Sequence, residues 1–328
     1  TQDRIGEAAE VTETARDVFS AAAPASPEAA TALHNLAELR FLAARYDEAV
    51  DLAEEAHQRR VRIFGENHAR SLASLRLIAR THSRMGSYDL ARSVLEQVLE
   101  GQRARLGDKH AQTAKTLSEL ATVESHRENF QRAASLMERA LDIRQDVFPE
   151  DHPTVAVTMV NLSGIVEELG RYDRAETLCR TALDLLESRL PPDHAEVIMT
   201  RSRLAGVLGL QGRFDQALAL QRSALSQLRE RYGSSHPRVV LATHNLAASE
   251  HDFGDYASAR ERLEEVIAAW ESIHGPTHKY VAFARGVLGK TLIELADPQA
   301  GRAELLEARR IASEALGERT PVVAAHRF

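Results

Sequence analysis

The sequence predicts an all-α solenoid of antiparallel helix pairs, about seven repeats long, and three observations carry that prediction. A phrase that recurs every 42 residues, clearest from His152 to Pro192, is written again on both sides of itself with no insertion to break its phase. Histidines mark the phase at His68, His110, His152, His194, His236 and His278, and Ser26 and Thr320 continue the register at the ends. An apolar position (Leu36, Ile78, Leu120, Leu162, Leu204, Leu246, Leu288) and a small position (Ala49, Ala91, Ala133, Ala175, Ala217, Ala259, Gly301) recur with the same spacing. Periodicity of this length and fidelity means stacked supersecondary units, each burying its apolar face against the next.

Along the chain, residues 1–26 come first. Val11, Ala15 and Val18 fall where a second helix carries its packing stripe, so this segment reads as a leftover half repeat or an N-terminal cap with its loop. The seven-repeat array is expected over residues 27–320. Its grammar is plainest in the fourth repeat. Pro153 suits a first helical turn, where its missing N–H costs nothing, and Val155, Ala156, Met159, Val160, Leu162, Ser163, Val166 and Leu169 have helical spacing. Gly170 supplies the left-handed conformation that stops a helix, the turn follows through Arg171, Tyr172 and Asp173, and Asp173 is expected to cap the next helix. That second helix carries Ala175, Leu178, Cys179, Ala182, Leu183 and Leu186, and Pro191 with Pro192 is expected to end it. The aromatic of the turn is Tyr46, Tyr88, Phe130, Tyr172, Phe214 and Tyr256 in successive repeats. Repeat seven departs from the pattern, with Ala296 for the turn glycine, Pro298 for the aromatic and Gly301 for the small alanine, as a capping repeat would. Residues 321–328 read as the truncated start of a further helix, and Thr1 without a preceding Met points to an excised fragment.

The repeat resembles the tetratricopeptide repeat. Its 42-residue length and the phrases Asn245-Leu246-Ala247, Gly170-Arg171-Tyr172-Asp173 and Asp151-His152-Pro153 are similar to the kinesin light chain variety, over about nine tenths of the chain. The resemblance implies a right-handed superhelix whose concave wall is built from the first helices, and it implies protein or peptide binding along that wall.

Composition excludes several classes. A net charge of −7 with 44% hydrophobic and 27% charged residues is ordinary for a soluble chain, so neither nucleic acid nor a membrane is an expected partner. The apolar runs are too short to span a bilayer and no signal-peptide pattern opens the chain, which leaves the cytoplasm as the expected location. The single cysteine, Cys179, lies on the packing stripe of a second helix and reads as inert core.

No residue set carries a recognised catalytic signature, and no cofactor or metal is expected. Six evenly spaced histidines tempt a metal reading, but successive repeats lie roughly 16–20 Å apart, since helix axes pack at ~8–10 Å and each repeat contributes two; one metal needs ligands at about 2 Å. The alternative to a binding module is an enzyme or small-ligand protein using His244, His251 and Asp252. His244 and His251 are seven apart on one helix face, and no nucleophile, HExxH motif or phosphate-binding glycine loop accompanies them.

The groove positions implied by the resemblance carry the expected function. They are Asn35; Arg76, Arg80 and Arg84; Lys115; Val160, Asn161 and Gly164; Arg203, Gly206 and Leu210; and His244, Asn245 and His251. The stretch His57 to Lys115 holds 12 Lys and Arg against 5 Asp and Glu, a local charge of +7 that leaves −14 for the rest. Arginines four apart on one helix repel by roughly 0.2–0.5 kcal/mol per pair, so stability alone does not select them unless acids on neighbouring helices pair with them. The expected partner is an extended or helical segment whose acidic residues meet these cations and whose apolar residues reach the glycine notch. The expected role is the sensor or scaffold arm of a larger signalling or regulatory protein.

Overall fold

The computed structural model describes residues 12–14, 26–149 and 151–316. Apart from one helical turn at residues 12–14, the expected half repeat at the N-terminus lies outside the described residues, as does the further helix expected at 321–328. Within them the chain forms fourteen helices and no strand. It divides into two compact units, Thr1–Gly170 and Arg171–Phe328.

The first unit contains α1 (Pro27–Leu42), α2 (Tyr46–Phe64), α3 (Ala69–Arg84), α4 (Tyr88–Leu106), α5 (Ala111–His126), α6 (Phe130–Val147) and α7 (Pro153–Glu168). The second contains α8 (Tyr172–Glu187), α9 (Ala195–Leu210), α10 (Phe214–Tyr232), α11 (Pro237–Asp252), α12 (Tyr256–His274), α13 (Lys279–Glu294) and α14 (Pro298–Leu316). Inside each unit every helix packs on the next, and first helices of adjacent repeats also touch, α1 on α3 and α9 on α11. The periodic positions are the reason. Leu36, Leu162, Leu204 and Leu246 are at most 1% exposed, and Ala49, Ala91, Ala133, Ala175, Ala217 and Ala259 are fully buried where the paired helices approach most closely. Cys179 is buried among them.

The histidines that mark the phase turn out to be helix N-caps. Nδ1 of His68, His110, His152, His194, His236 and His278 accepts the backbone N–H two residues on, at 3.1–3.4 Å, just where Ser26 caps α1. Each such cap contributes about 1 kcal/mol by satisfying a donor that the helix start leaves unbonded. Four of these imidazoles also lie flat on a ring four residues earlier: Phe64 on His68, Phe148 on His152, Tyr232 on His236 and His274 on His278, with centroids 4.4–4.7 Å apart. One residue type thus closes the end of one helix onto the start of the next.

Two expectations about turns need correction. Asp173 does not cap α8: the cap position is Arg171, which makes no side-chain cap bond, and Asp173 sits one residue inside the helix, where its charge favours the N-terminal dipole. The acid that does cap stands two positions earlier in the register, as Asp255 and Asp297 show by accepting from the N–H of Ser258 and Ala300. Nor do Pro191 and Pro192 end α8. It stops at Glu187, and the chain unwinds through Ser188 to Leu190 before the prolines are reached.

Repeat seven is irregular for a packing reason. A Cβ on Gly301 would lie 2.6 Å from the carbonyl oxygen of Gly289, and one on Gly289 would lie 2.8 Å from that of Gly301, so the α13–α14 crossing requires both glycines. Ala296 still adopts the left-handed turn, with φ 63°.

Candidate functional site

In the first unit, α3 and α5 present the predicted cations. Their self-repulsion is largely relieved by acids one repeat away. Arg76 Nε donates to Glu119 Oε2 at 3.2 Å, and Arg80 lies 3.9 Å from Glu38 with its guanidinium 4.7 Å from the centre of the Phe41 ring. Pairing to neighbouring helices therefore accounts for Arg76 and, more loosely, for Arg80. Arg84 is exposed and makes no ion pair among the described residues. Lys115 is exposed as well; loss of hydration and then the charge of Arg76 push its ammonium below the ordinary lysine range, against the pull of Glu119.

Arg80 and Arg84 line a cleft of about 500 Å³, in which they and Glu119 meet Phe41, Tyr88 and His126. Tyr88 stacks on His126 at 5.1 Å. The helix geometry explains the assembly: Arg80 and Arg84 are one turn apart on α3, while Phe41 and His126 close the ends of the flanking first helices. The cleft thus combines positive charge with aromatic walls over a floor that includes Leu95 and Val123. Asn35 is exposed on α1; on α7, Asn161 is exposed and Val160 and Gly164 are half-buried.

In the second unit the predicted residues are less convergent. Gly206 is exposed and has open space where a side chain would be, and Leu210 is exposed, as are Met199 and Leu241. Arg203 is exposed on the same helix. Gly209 belongs to the core, because its missing Cβ admits the Phe253 ring, which would stand 2.4 Å away. Asn245 Nδ2 donates to Ser202 Oγ at 3.4 Å. His251 Nδ1 is 3.1 Å from Thr291 Oγ1 and its ring leans on Tyr256. Burial holds His244 below the ordinary imidazole range, and its Nδ1 has no hydrogen-bond partner among the described residues. No hydrogen bond joins His244, His251 and Asp252 among those residues.

Residue pattern alone did not reveal two buried carboxylates at one repeat position, Glu124 and Glu250. Glu124 accepts from Arg127 and Asn129, each at 2.8 Å, with Arg132 3.1 Å away; Glu250 pairs with Arg222 and Arg262. Burial pushes the Glu124 carboxyl up, and these bonds outweigh it, holding its pKa below the usual carboxylate value. Their spacing of three repeats was the available signal.

The sequence profile of the tetratricopeptide repeat matches residues 28–104, 84–146, 112–188, 154–230, 196–272 and 238–314. The chain belongs to the tetratricopeptide repeat family. Among solved structures, this TPR chain is similar to a kinesin light chain-type protein of Podosopora anserina with nearly identical TPR-like repeats: 23% identity, 62% of this chain and 95% of that one, TM-score 0.57. It is also similar to the apo form of the quorum sensor NprR from B. thuringiensis, at 15% identity over 93% of this chain and 83% of that one, TM-score 0.66. A Rap protein complexed with competence and sporulation factor matches at 16% identity over 92% and 80% of the two chains, TM-score 0.58. At these identities the likeness is one of fold. No curated protein matches the sequence. Among the described residues of the TPR array, no helix is long and apolar enough to cross a membrane, and no group of three His, Cys, Asp or Glu side chains is placed to hold a metal ion.

Proposed function

We propose that this TPR chain is a protein- or peptide-binding module, the sensor or scaffold arm of a larger cytoplasmic signalling or regulatory protein, and that its first unit grips a segment bearing acidic residues. The observation that carries the reading is the cleft around Arg80 and Arg84. Arg84 contributes an exposed cation with no ion-pair partner among the described residues, Lys115 adds another on α5, and the aromatic walls offer apolar surface beside them. A carboxylate meeting Arg84 gains charge-assisted hydrogen bonds without first breaking an internal pair. Structural neighbours described as a quorum sensor and as a Rap protein complexed with competence and sporulation factor lend support to peptide recognition on this fold. In the first unit, apolar residues of the segment are assigned to Val160 and Gly164 and its backbone to Asn35 and Asn161; in the second unit, taken by itself, Gly206 and Leu210 are assigned to apolar residues of a segment and Asn245 to its backbone.

The test is a peptide array followed by titration of the best binders. Arg84→Glu should weaken acidic binders about tenfold at low salt and by much less at 0.5 M, because screening acts on charge. Gly206→Trp should weaken binding by the second unit to a similar extent at both salt concentrations. Binders retained equally by the wild type and both variants would place recognition elsewhere on the chain.

A further inference from the structure

A different feature of the first unit carries an inference independent of the acidic-segment cleft. The cap histidines of four repeats are covered by a ring four residues earlier, and His110 is one of two that are not, because Leu106 stands where Phe64 and Phe148 stand in the neighbouring repeats. At that place there is a cavity of about 380 Å³, and both His110 and Leu106 line it. The ring that the repeat pattern calls for is missing, and the space is open.

The polar side chains around this cavity share one chemistry. Arg76 and Arg105 both reach its wall, and Arg105 is exposed with no ion pair among the described residues. Gln102 also lines it while only 4% exposed. Its Oε1 accepts from Thr116 Oγ1 at 2.9 Å, which leaves the amide N–H groups with no protein partner among the described residues. No carboxylate belongs to the lining, and Leu72 and Leu106 supply apolar contact. The unpaired Arg105 cation, a buried amide donor and an imidazole suit a flat anion, beside an Arg76 that already donates to Glu119 and to Gln112. The other uncovered cap, His194, differs: the Glu196 carboxylate stands 2.5 Å from its Nδ1 and would repel an acid.

We propose that this cavity binds a small planar aromatic carboxylate, its ring on the His110 imidazole in place of the missing aromatic and its carboxylate held by Arg105 and the Gln102 amide. Aromatic stacking supplies specificity for a flat ring, and the Arg105 guanidinium selects the ionised acid.

The experiment is calorimetric titration of the intact chain with 2-naphthoate, with 2-naphthamide as the uncharged analogue and decalin-2-carboxylate as the saturated one. Naphthoate should bind with one-to-one stoichiometry, 2-naphthamide at least about tenfold more weakly, the loss expected for one charged hydrogen bond, and decalin-2-carboxylate about three- to tenfold more weakly, the loss expected for the aromatic stack. Leu106→Phe should complete the stack seen in the sibling repeats, leave the melting temperature unchanged or higher, and abolish binding. Arg105→Glu, at an exposed position, should weaken naphthoate about tenfold. Leu190→Phe and Arg84→Glu should leave it unchanged, which separates this site from the other uncovered cap and from the acidic-segment cleft. Absence of naphthoate binding, equal binding of the three probes, or insensitivity to Arg105→Glu would overturn the assignment. The same holds for a folded Leu106→Phe chain that still binds.

Discussion

The seams between repeats are built differently in the two units, although the backbone register is the same. In the first unit a polar residue of each second helix reaches into the next first helix: Arg60 Nη1 donates to Ser74 Oγ at 3.0 Å, Thr116 Oγ1 to Gln102 at 2.9 Å, and Arg144 Nη1 to Thr158 Oγ1. At the equivalent second-helix positions the second unit has Leu186, Leu228 and Trp270, each at most 3% exposed. Leu228 packs with Val239 and Leu246, and Trp270 with Val281, Ala284 and Leu288. One helix-pair geometry therefore accepts two solutions. The apolar seam contributes through area removed from water. The polar seam contributes little net energy but is costly to break on one side, since a buried donor then loses its partner.

That contrast sets the sizes of the expected effects. Trp270→Ala should be the most damaging, at about 3–5 kcal/mol, because a large side chain leaves a cavity that the rigid helices cannot close. Urea unfolding would measure it, and a loss below 1 kcal/mol would mean that the second unit does not rest on its apolar seam.

Acid should act on the first unit through His34. Burial, then the charges of Arg60 and Arg80, push its pKa from 6.5 down to about 4, while its Nδ1 stays 3.3 Å from Ser74 Oγ. The folded value lies below the unfolded one, so the stabilisation is complete above pH 6.5 and is lost as pH falls from 6.5 toward 4. The full shift corresponds to about 3 kcal/mol at most. Unfolding of the wild type and His34→Gln at pH 7 and pH 4.5 would isolate the contribution, with the variant losing distinctly less on acidification. Equal losses would remove His34 from the account.

The polar seam itself can be rewritten in the language of the apolar one. Thr158→Ala alone should cost about 1–3 kcal/mol by stranding the Arg144 guanidinium. Adding Arg144→Leu, which gives the pair found at Leu228 and Ala242, should recover most of that loss, as buried polar pairs replaced together often do. A double variant as damaged as the sum of its parts would show that the first unit needs its polar contacts.

Turns should not distinguish the units. Glu128 and Ala296 both hold the left-handed conformation, at φ 61° and 63°. Replacing either with Gly should stabilise by about 1 kcal/mol, seen as a small rise in melting temperature. Unequal responses would mean that the two turns carry different strain.

The fold was legible because its signals are local. Leu36 and its repeats mark the buried face of each first helix, and Ala49 and its repeats mark the close crossing with the second. The histidines were seen as punctuation but not as caps, although Ser26, a standard capping residue, occupied the same register. Of the predicted groove, Arg80 and Arg84 share one cleft, whereas Asn245 is tied to Ser202.

By itself the sequence determined that the array is built of paired helices, the approximate ends of those described and the side each one buries, because a 3.6-residue turn converts spacing along the chain directly into a face. The tertiary structure decided which charges are spent internally and which remain for a ligand. Arg76 meets Glu119 from 43 residues away, Arg144 meets Thr158 across a loop, and Arg84, in the same row as Arg76, meets no acid among the described residues. Such pairings depend on how far side chains reach between packed helices, a distance that one-dimensional periodicity does not contain. The same holds for the space beside His110, which exists because Leu106 is shorter than the ring its neighbours carry.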